Sequence, residues 1–194
     1  RVMMFALIIV VLSLRISSIY AETAKEYLGR GFEAHKQGNF TQAISDYTKA
    51  IEKDSNYADA YDNRGAVYTQ QGNFTQAIAD YTKAIEINSN IAHVYYNRGL
   101  AYNQQGNFDQ AISDYTKAIE ISPNDSVFSY CNRGVIYSKQ GNSTQAINDF
   151  TKAIEINPND AEAYNNRGFI YGTQGNLPKA ISDFTKAIEI NPNF

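Results

Sequence analysis

The chain has 194 residues, of which 43% are hydrophobic and 19% are charged, and its formal net charge is −3. Proteins that hold a nucleic-acid backbone carry an excess of Lys and Arg, so this mildly acidic chain predicts no nucleic-acid partner. The single cysteine, Cys131, and the two histidines, His35 and His93, form no ligand cluster in the sequence, and we therefore expect no internal disulfide, no metal site and no cofactor.

The first 21 residues differ in character from the rest of the chain. A run from Val2 to Leu14 is apolar except for Ser13, Arg1 precedes it, and the segment Ser17-Ser18-Ile19-Tyr20-Ala21 follows it. This pattern is typical of a signal peptide cleaved after Ala21, and it predicts an exported protein, whether periplasmic, secreted or luminal. A helix over this run would reach roughly 20 Å, short of the roughly 30 Å hydrocarbon core of a bilayer. One alternative is an uncleaved membrane anchor, which would be the protein's one contact with a membrane. The other alternative is a misassigned leader.

A repeated pattern fills the remainder of the sequence. A Gly-Asn pair recurs with its glycines 34, 34, 35 and 34 residues apart, and an Arg-Gly pair recurs at the same intervals. Two landmarks that move together indicate one supersecondary unit stacked on copies of itself, which is a solenoid. The glycines of the first pair are Gly38, Gly72, Gly106, Gly141 and Gly175, and the arginines of the second are Arg30, Arg64, Arg98, Arg133 and Arg167.

Each unit is predicted to be a helical hairpin. In the last copy, apolar and small residues recur at steps of three and four on both sides of Gly175-Asn176, as they do on one face of a helix. Gly175 suits the left-handed position that ends a helix, and Asn176 suits the N-cap of the next one. Pro192 and its equivalents Pro158 and Pro123 are placed to stop the second helix.

The spacing of a few residues in each unit is specific. In the last copy these residues are Tyr164, Arg167, Gly168, Tyr171, Ala180, Phe184 and Pro192. The unit resembles the tetratricopeptide repeat, whose pattern is W-x2-L-G-x2-Y, then A-x3-F, then a terminal Pro. The resemblance implies an all-α protein, a right-handed α-solenoid of five helix-turn-helix repeats. We expect a signal peptide or anchor over residues 1–21 and the array over residues 22–194, with repeats at 24–57, 58–91, 92–125, 127–160 and 161–194.

Two departures from the family pattern carry expectations. Arg stands where the family has Leu before Gly, and we expect it to bury its stem and to pair with an Asp that recurs once per unit, with the Lys three residues after that Asp as the alternative base. One residue is inserted near Asp125–Val127, between the third and fourth units.

Because acid–base catalysis needs carboxylates in differing environments, identical recurring acids predict no enzyme. These acids are Asp46, Asp80, Asp114, Asp149 and Asp183.

Function is therefore expected on a surface. An Asn precedes the Arg in four units, and the resemblance places this Asn in a concave groove lined by the first helices, where its amide matches the hydrogen bonding of a peptide backbone. An asparagine ladder that holds an extended peptide is one interpretation, and hydrogen bonds confined to the scaffold are the other. More variable neighbours would set specificity. The candidate peptide-binding residues are Asn63, Asn97, Asn132, Asn166, His93, Phe128, Cys131 and Glu162.

The resemblance thus predicts a scaffold for protein–protein interaction that binds an extended peptide or a partner surface. A carboxylate clamp is not expected, because the bases that it requires are missing beside the Asn. The alternative is a structural or assembly subunit, or a fragment of a longer array, that works by stacking with other chains. Ile181, Phe184 and Ile188 have no following hairpin in the sequence, and we expect self-association through this C-terminal hairpin.

Overall fold

The structure is a computed structural model that describes residues 22–193. Within these residues the chain forms ten α-helices and no strand, and the helices pair into five hairpins that stack in chain order. This confirms the predicted all-α solenoid. The helices are α1 (Ala24–Lys36), α2 (Phe40–Lys53), α3 (Ala58–Gln70), α4 (Phe74–Ile87), α5 (Ala92–Gln104), α6 (Phe108–Ile121), α7 (Val127–Lys139), α8 (Ser143–Ile156), α9 (Ala161–Thr173) and α10 (Leu177–Ile190).

The turn inside each hairpin follows from the Gly-Asn pair. The five glycines have φ between 73° and 78°, a left-handed conformation that only glycine adopts without strain. The Asn that follows is the N-cap in every hairpin, but its side chain accepts the capping hydrogen bond in two, from Gln42 N to Asn39 and from Lys179 N to Asn176. The expected side-chain cap is absent at Asn73, Asn107 and Asn142, all within residues 22–193.

Glycine also lets the two helices of a hairpin approach closely. A Cβ added to Gly99 would lie 2.8 Å from Cε1 of Tyr115, which is closer than two carbon atoms can pack. The Tyr115 ring fills this space and is fully buried. The same arrangement places a buried aromatic ring from the second helix in each of the first four hairpins, and these rings, with alanines around them, form the core of the stack. They belong to Tyr47, Tyr81, Tyr115 and Phe150.

One junction between hairpins differs from the others. Five residues, 122–126, connect α6 to α7, whereas four residues connect the hairpins at 54–57, 88–91 and 157–160. The longer connection contains a 3-10 turn at Pro123–Asp125. It is tied back by the buried Ser126, whose Oγ lies 2.6 Å from the carbonyl oxygen of Ser122 and 3.3 Å from that of Ala118. The inserted residue is thus accommodated in an ordered turn between the third and fourth hairpins.

The leader lies outside the described residues, so the expected signal peptide or anchor over residues 1–21 stays a prediction. No helix within residues 22–193 is both long enough and apolar enough to cross a membrane.

Candidate functional site

From the second hairpin onward, the repeated arginine joins each hairpin to the one before it. Nε and Nη2 of Arg98, on α5, each donate to one carboxylate oxygen of Asp114, on α6, at 2.8 Å, and Nη1 donates to Thr82 Oγ1, on the preceding α4, at 3.0 Å. The side chains of Arg98 and Asp114 are 16% and 6% exposed. The same bidentate pair and threonine contact recur at Arg64, Arg133 and Arg167.

This geometry confirms the expected pairing of Arg with the recurring Asp. The alternative base, the Lys three residues after the Asp, has another partner: Lys117 Nζ lies 3.0 Å from Glu120 Oε2 on the surface. The threonine contact was not predicted from the sequence, although Thr recurs at the matching position of every unit. Arg64, Arg98, Arg133 and Arg167 are therefore part of the scaffold, because each guanidinium is already engaged by an Asp and a Thr.

A second set of contacts runs from one first helix to the next. His93 Nε2, on α5, lies 2.8 Å from Asp62 Oδ2, on α3. Asn132 Nδ2, on α7, lies 3.4 Å from Tyr96 Oη, on α5, and the ring centroids of Tyr96 and Phe128 are 6.4 Å apart. We call this set the first-helix row, and it consists of Asp62, His93, Tyr96, Phe128 and Asn132.

Sequence reasoning found three members of the first-helix row and missed Asp62 and Tyr96. Both occupy the fifth position of their unit, where the five copies carry chemically unrelated residues within an otherwise repetitive sequence. That variation is the signal by which they could have been found. The residues at this position are Leu28, Asp62, Tyr96, Cys131 and Asn165.

The four predicted groove asparagines are all half-buried on the first helices, but they differ in their hydrogen bonds. Asn63 Nδ2 donates to the carbonyl oxygen of Asp59 at 2.7 Å, within its own helix, and Asn132 Nδ2 approaches Tyr96 as described above. The side chains of Asn97 and Asn166 make no hydrogen bond with the described residues. Two of the four amides are thus engaged by the scaffold, and two make no hydrogen bond with the described residues; the asparagine ladder stays a prediction.

The remaining candidates differ in exposure and in charge. Phe128 is 68% exposed, and Glu162 is exposed on α9. Burial raises the pKa of the Cys131 thiol to about 12, and the nearby carboxylate of Asp160 adds to this effect. Cys131 is therefore a neutral thiol at physiological pH. The hydrogen bond to Asp62 raises the pKa of His93, which favours the ion pair between them.

A cleft of about 560 Å³ opens beside this row at the long junction. Its walls come from the start of α5, the end of α6, the connection 122–126 and the start of α7. Apolar and aromatic side chains form much of the wall, and Asp125 and the hydroxyls of Ser122 and Ser126 border it. The residues that line the cleft include Ile91, just before α5, and His93, Tyr96, Ile121 and Phe128 on the helices.

Residues 22–193 contain no group of three or more His, Cys, Asp and Glu side chains arranged to hold a metal ion. Each recurring Asp from Asp80 onward is occupied by its arginine. The features that distinguish one unit from another are thus the cleft and the second and fifth positions of the first helices, which supply four members of the first-helix row.

Stacked helical hairpins with a repeating core and a variable row of side chains define the class of helical-repeat solenoids. Models of the tetratricopeptide repeat match residues 92–125 and 161–194 and residues 114–148. A model described as a TPR repeat matches residues 33–72, 65–106 and 134–175. The chain belongs to the tetratricopeptide repeat family.

Solved structures show the same architecture. The crystal structure of MamA superposes with a TM-score of 0.80 at 27% identity, over 84% of this chain and 95% of that chain. YrrB, a TPR protein with an unusual peptide-binding site, superposes with a TM-score of 0.77 at 25% identity, over 92% of both chains. MamA from Desulfovibrio magneticus RS-1 shows the fold at 18% identity, with a TM-score of 0.80 over 88% of this chain and 96% of that chain. No match is found among curated proteins.

Tetratricopeptide repeat proteins are in general scaffolds for protein interaction and not enzymes, and membership of the family supports a protein partner for this chain.

Proposed function

We propose that this chain binds an extended peptide segment of a partner protein along its first-helix row, in the groove that the first helices of tetratricopeptide repeats line. The observation that carries the proposal is the distribution of variation. The core aromatics, glycines and Arg–Asp pairs are copied from unit to unit, whereas the second and fifth positions of the units, which supply every member of the first-helix row except Asn132, differ in all five copies. Side chains of the row also contact one another across units.

The hydrogen-bonding capacity of this face supports a peptide ligand. The amides of Asn97 and Asn166 each offer a donor pair and an acceptor that the described residues leave free. An extended peptide presents backbone N–H and C=O groups that match them. YrrB, a structural neighbour, is a TPR protein with an unusual peptide-binding site, and a peptide ligand for this chain is consistent with that precedent.

A display library of random twelve-residue peptides, selected on the immobilised full chain, tests this function. We expect the selected peptides to lose binding when Asn97→Arg fills the groove with a long charged side chain. The matched control is Gln110→Arg, which places the same side chain at an exposed position on the second helix α6 and should leave binding intact. Selected peptides that bind the Asn97→Arg chain at full strength would contradict the proposal.

A second candidate function is assembly through the C-terminal hairpin. Ile181 and Ile188 on α10 are 64% and 52% exposed, whereas Ile154, the equivalent of Ile188 in the preceding hairpin, is 9% exposed. Thr185 is exposed too, although the equivalent Thr151 accepts a hydrogen bond from Arg167 of the next hairpin. We propose that a second copy of this chain covers this apolar face.

Helix α1, at the opposite end of the array, indicates which ends of two copies would meet. The positions of Ala163 and Ile170, which are buried against the preceding hairpin, are occupied in α1 by Glu26 and Glu33, both exposed. Stacking α1 on α10 would bury the carboxylates of Glu26 and Glu33 against the apolar face of α10, and taking charged groups out of water in this way is costly. The two copies should therefore meet through their C-terminal hairpins in a symmetric, isologous contact.

Light scattering on the full chain tests this contact. We expect a dimer that dissociates to monomers when Ile181→Lys and Ile188→Lys are introduced together, because four charges would face one another in the symmetric contact. Phe32→Ser removes an exposed apolar side chain on α1 at the other end of the array and should leave the dimer intact. A parent chain that is monomeric at high concentration would count against this second function.

A further inference from the structure

We propose that the cleft at the long junction binds one aromatic side chain of the partner peptide, and that Lys or Arg about three residues to either side of it is held by acidic groups on the neighbouring first helices. The inference rests on the proposed function, because the cleft opens beside the first-helix row. It goes further by stating which partner residues this chain would select.

The cleft is built for an aromatic ring. Tyr96 and Phe128 stand at its mouth with ring centroids 6.4 Å apart, in a tilted arrangement, which is within the range at which aromatic rings attract one another. Phe128 is the most exposed large apolar side chain among the described residues, so a ligand ring that covers it removes apolar surface from water. Ile91 and Ile121 add apolar surface to the lining of the cleft.

The five-residue connection between α6 and α7 distinguishes the junction with the cleft from the other junctions. Asp125 and Ser126, from the five-residue connection, border the cleft, and Ser126 holds the 3-10 turn in place through the two carbonyl oxygens that its hydroxyl contacts. The connections at the other junctions are one residue shorter. The insertion therefore distinguishes this position from the otherwise equivalent positions along the array.

Acidic groups lie on both sides of the aromatic pair. On the preceding first helix, α3, Asp62 Oδ2 lies 2.8 Å from His93 Nε2, and the exposed Asp59 lies about one helical turn before Asp62. On the other side, Asp160 Oδ2 lies 3.7 Å from Cys131 Sγ, and Glu162 is exposed in the first turn of α9. The arginines nearest to this region are held in bidentate pairs with aspartates, and they do not neutralise these acids.

Few positive charges on these helices could repel a basic residue of the peptide. His93 itself pairs with Asp62 when it is protonated, which leaves Asp59 as the uncompensated acid on that side. Lys139 lies at the far end of α7, in its last turn. The flanks of the cleft are thus net acidic, and complementary charge on a peptide means Lys or Arg.

The spacing of the expected motif follows from the packing of helices. Neighbouring helices pack with their axes about 8–10 Å apart, and an extended chain advances about 3.3 Å per residue. A peptide that crosses from one first helix to the next therefore uses about three residues. The expected pattern is a basic residue, an aromatic residue about three positions later, and a second basic residue about three positions after that.

The peptide selection described above, repeated on two variants of the full chain, tests the inference. Phe128→Ser removes the ring at the mouth of the cleft, and Phe169→Ser removes a ring of similar exposure, 61%, from the first helix α9 outside the cleft. We expect the selected peptides to share an aromatic residue flanked by Lys or Arg. Their binding should weaken at least tenfold with Phe128→Ser and less than twofold with Phe169→Ser.

A synthetic peptide measures the two parts of the motif separately. A fluorescein-labelled peptide with Phe between two Lys residues, each three positions away in a Gly/Ser background, should bind the full chain. It should lose at least tenfold in affinity when Phe is replaced by Ser, and a similar factor when both Lys residues are replaced by Glu. The loss caused by replacing Phe in the peptide should be much smaller on the Phe128→Ser chain. The loss caused by replacing the two Lys residues should be much smaller on an Asp59→Asn, Glu162→Gln chain.

The possible outcomes distinguish a failure of this inference from a failure of the proposed peptide-binding function. Peptides that require the Asn97 groove but lack the aromatic motif, or that bind the Phe128→Ser and Phe169→Ser chains equally, would overturn this inference and leave the proposed function standing. A selection that returns no peptide dependent on Asn97 would overturn both.

Discussion

Replacing Arg98 by Ala should lower the free energy of unfolding by about 3 kcal/mol. The change removes the only charged partner that the described residues give Asp114, whose carboxylate is 6% exposed, and an unpaired buried charge is strongly destabilising. It also removes the hydrogen bond to Thr82 that joins the third hairpin to the second. Urea denaturation followed by circular dichroism at 222 nm measures the effect.

Two matched variants identify the source of this loss. Arg30→Ala removes the equivalent side chain of the first hairpin, which is 44% exposed, and its Asp46 keeps a hydrogen bond from Gln42 Nε2 at 2.7 Å, so a smaller loss is expected. Replacing both partners, with Arg98→Met and Asp114→Leu, should restore most of the stability, because no charge is left buried. An unchanged denaturation curve for Arg98→Ala would show that the repeated arginines are not structural.

Changing Asn63, Asn97, Asn132 and Asn166 together to Ala should weaken binding of a selected peptide at least about 30-fold while helicity stays intact. Each lost hydrogen bond is worth roughly 0.5–1.5 kcal/mol, and about 2 kcal/mol corresponds to this factor. Most of the loss should come from Asn97 and Asn166, because the amide nitrogens of the other two approach groups of the scaffold. Fluorescence anisotropy of a labelled peptide measures the affinities.

The control for this experiment is a pair of asparagines outside the first helices. Asn56 and Asn159 are exposed in connections between hairpins and use only their backbone N–H groups in hydrogen bonds to side chains. Changing both to Ala should leave the affinity within about twofold. Full-strength binding by the fourfold variant would move specificity to other positions of the first helices.

The repeating features of the fold were predictable because each is a local rule written five times. The left-handed glycines need no tertiary context, and neither does the period of the helical stripes. The pairing of Arg98 with Asp114 was also predictable, since an arginine that replaces an apolar residue in every copy must find a buried partner. Its bond to Thr82 was not, because that contact depends on how one hairpin is rotated against the next.

The site was predictable only in part, for the same physical reason. Sequence reasoning identified His93, Phe128 and Asn132 by position within the unit, but it gave no way to see that they meet Asp62 and Tyr96 on neighbouring helices. These contacts depend on the offset between units. The cleft was missed as well, although the inserted residue was recognised, because the effect of one extra residue depends on how the 3-10 turn folds back on α6.

The most direct test of a peptide-binding first-helix row is to locate a bound peptide by photo-crosslinking. A photoreactive phenylalanine analogue replaces Phe128, on the first helix α7, in one chain and Ser113, exposed on the second helix α6, in another, and crosslinks to a selected peptide are mapped by mass spectrometry. We predict efficient crosslinking from position 128 and background crosslinking from position 113. Equal crosslinking from both positions, or crosslinking from position 113 alone, would contradict the proposed function.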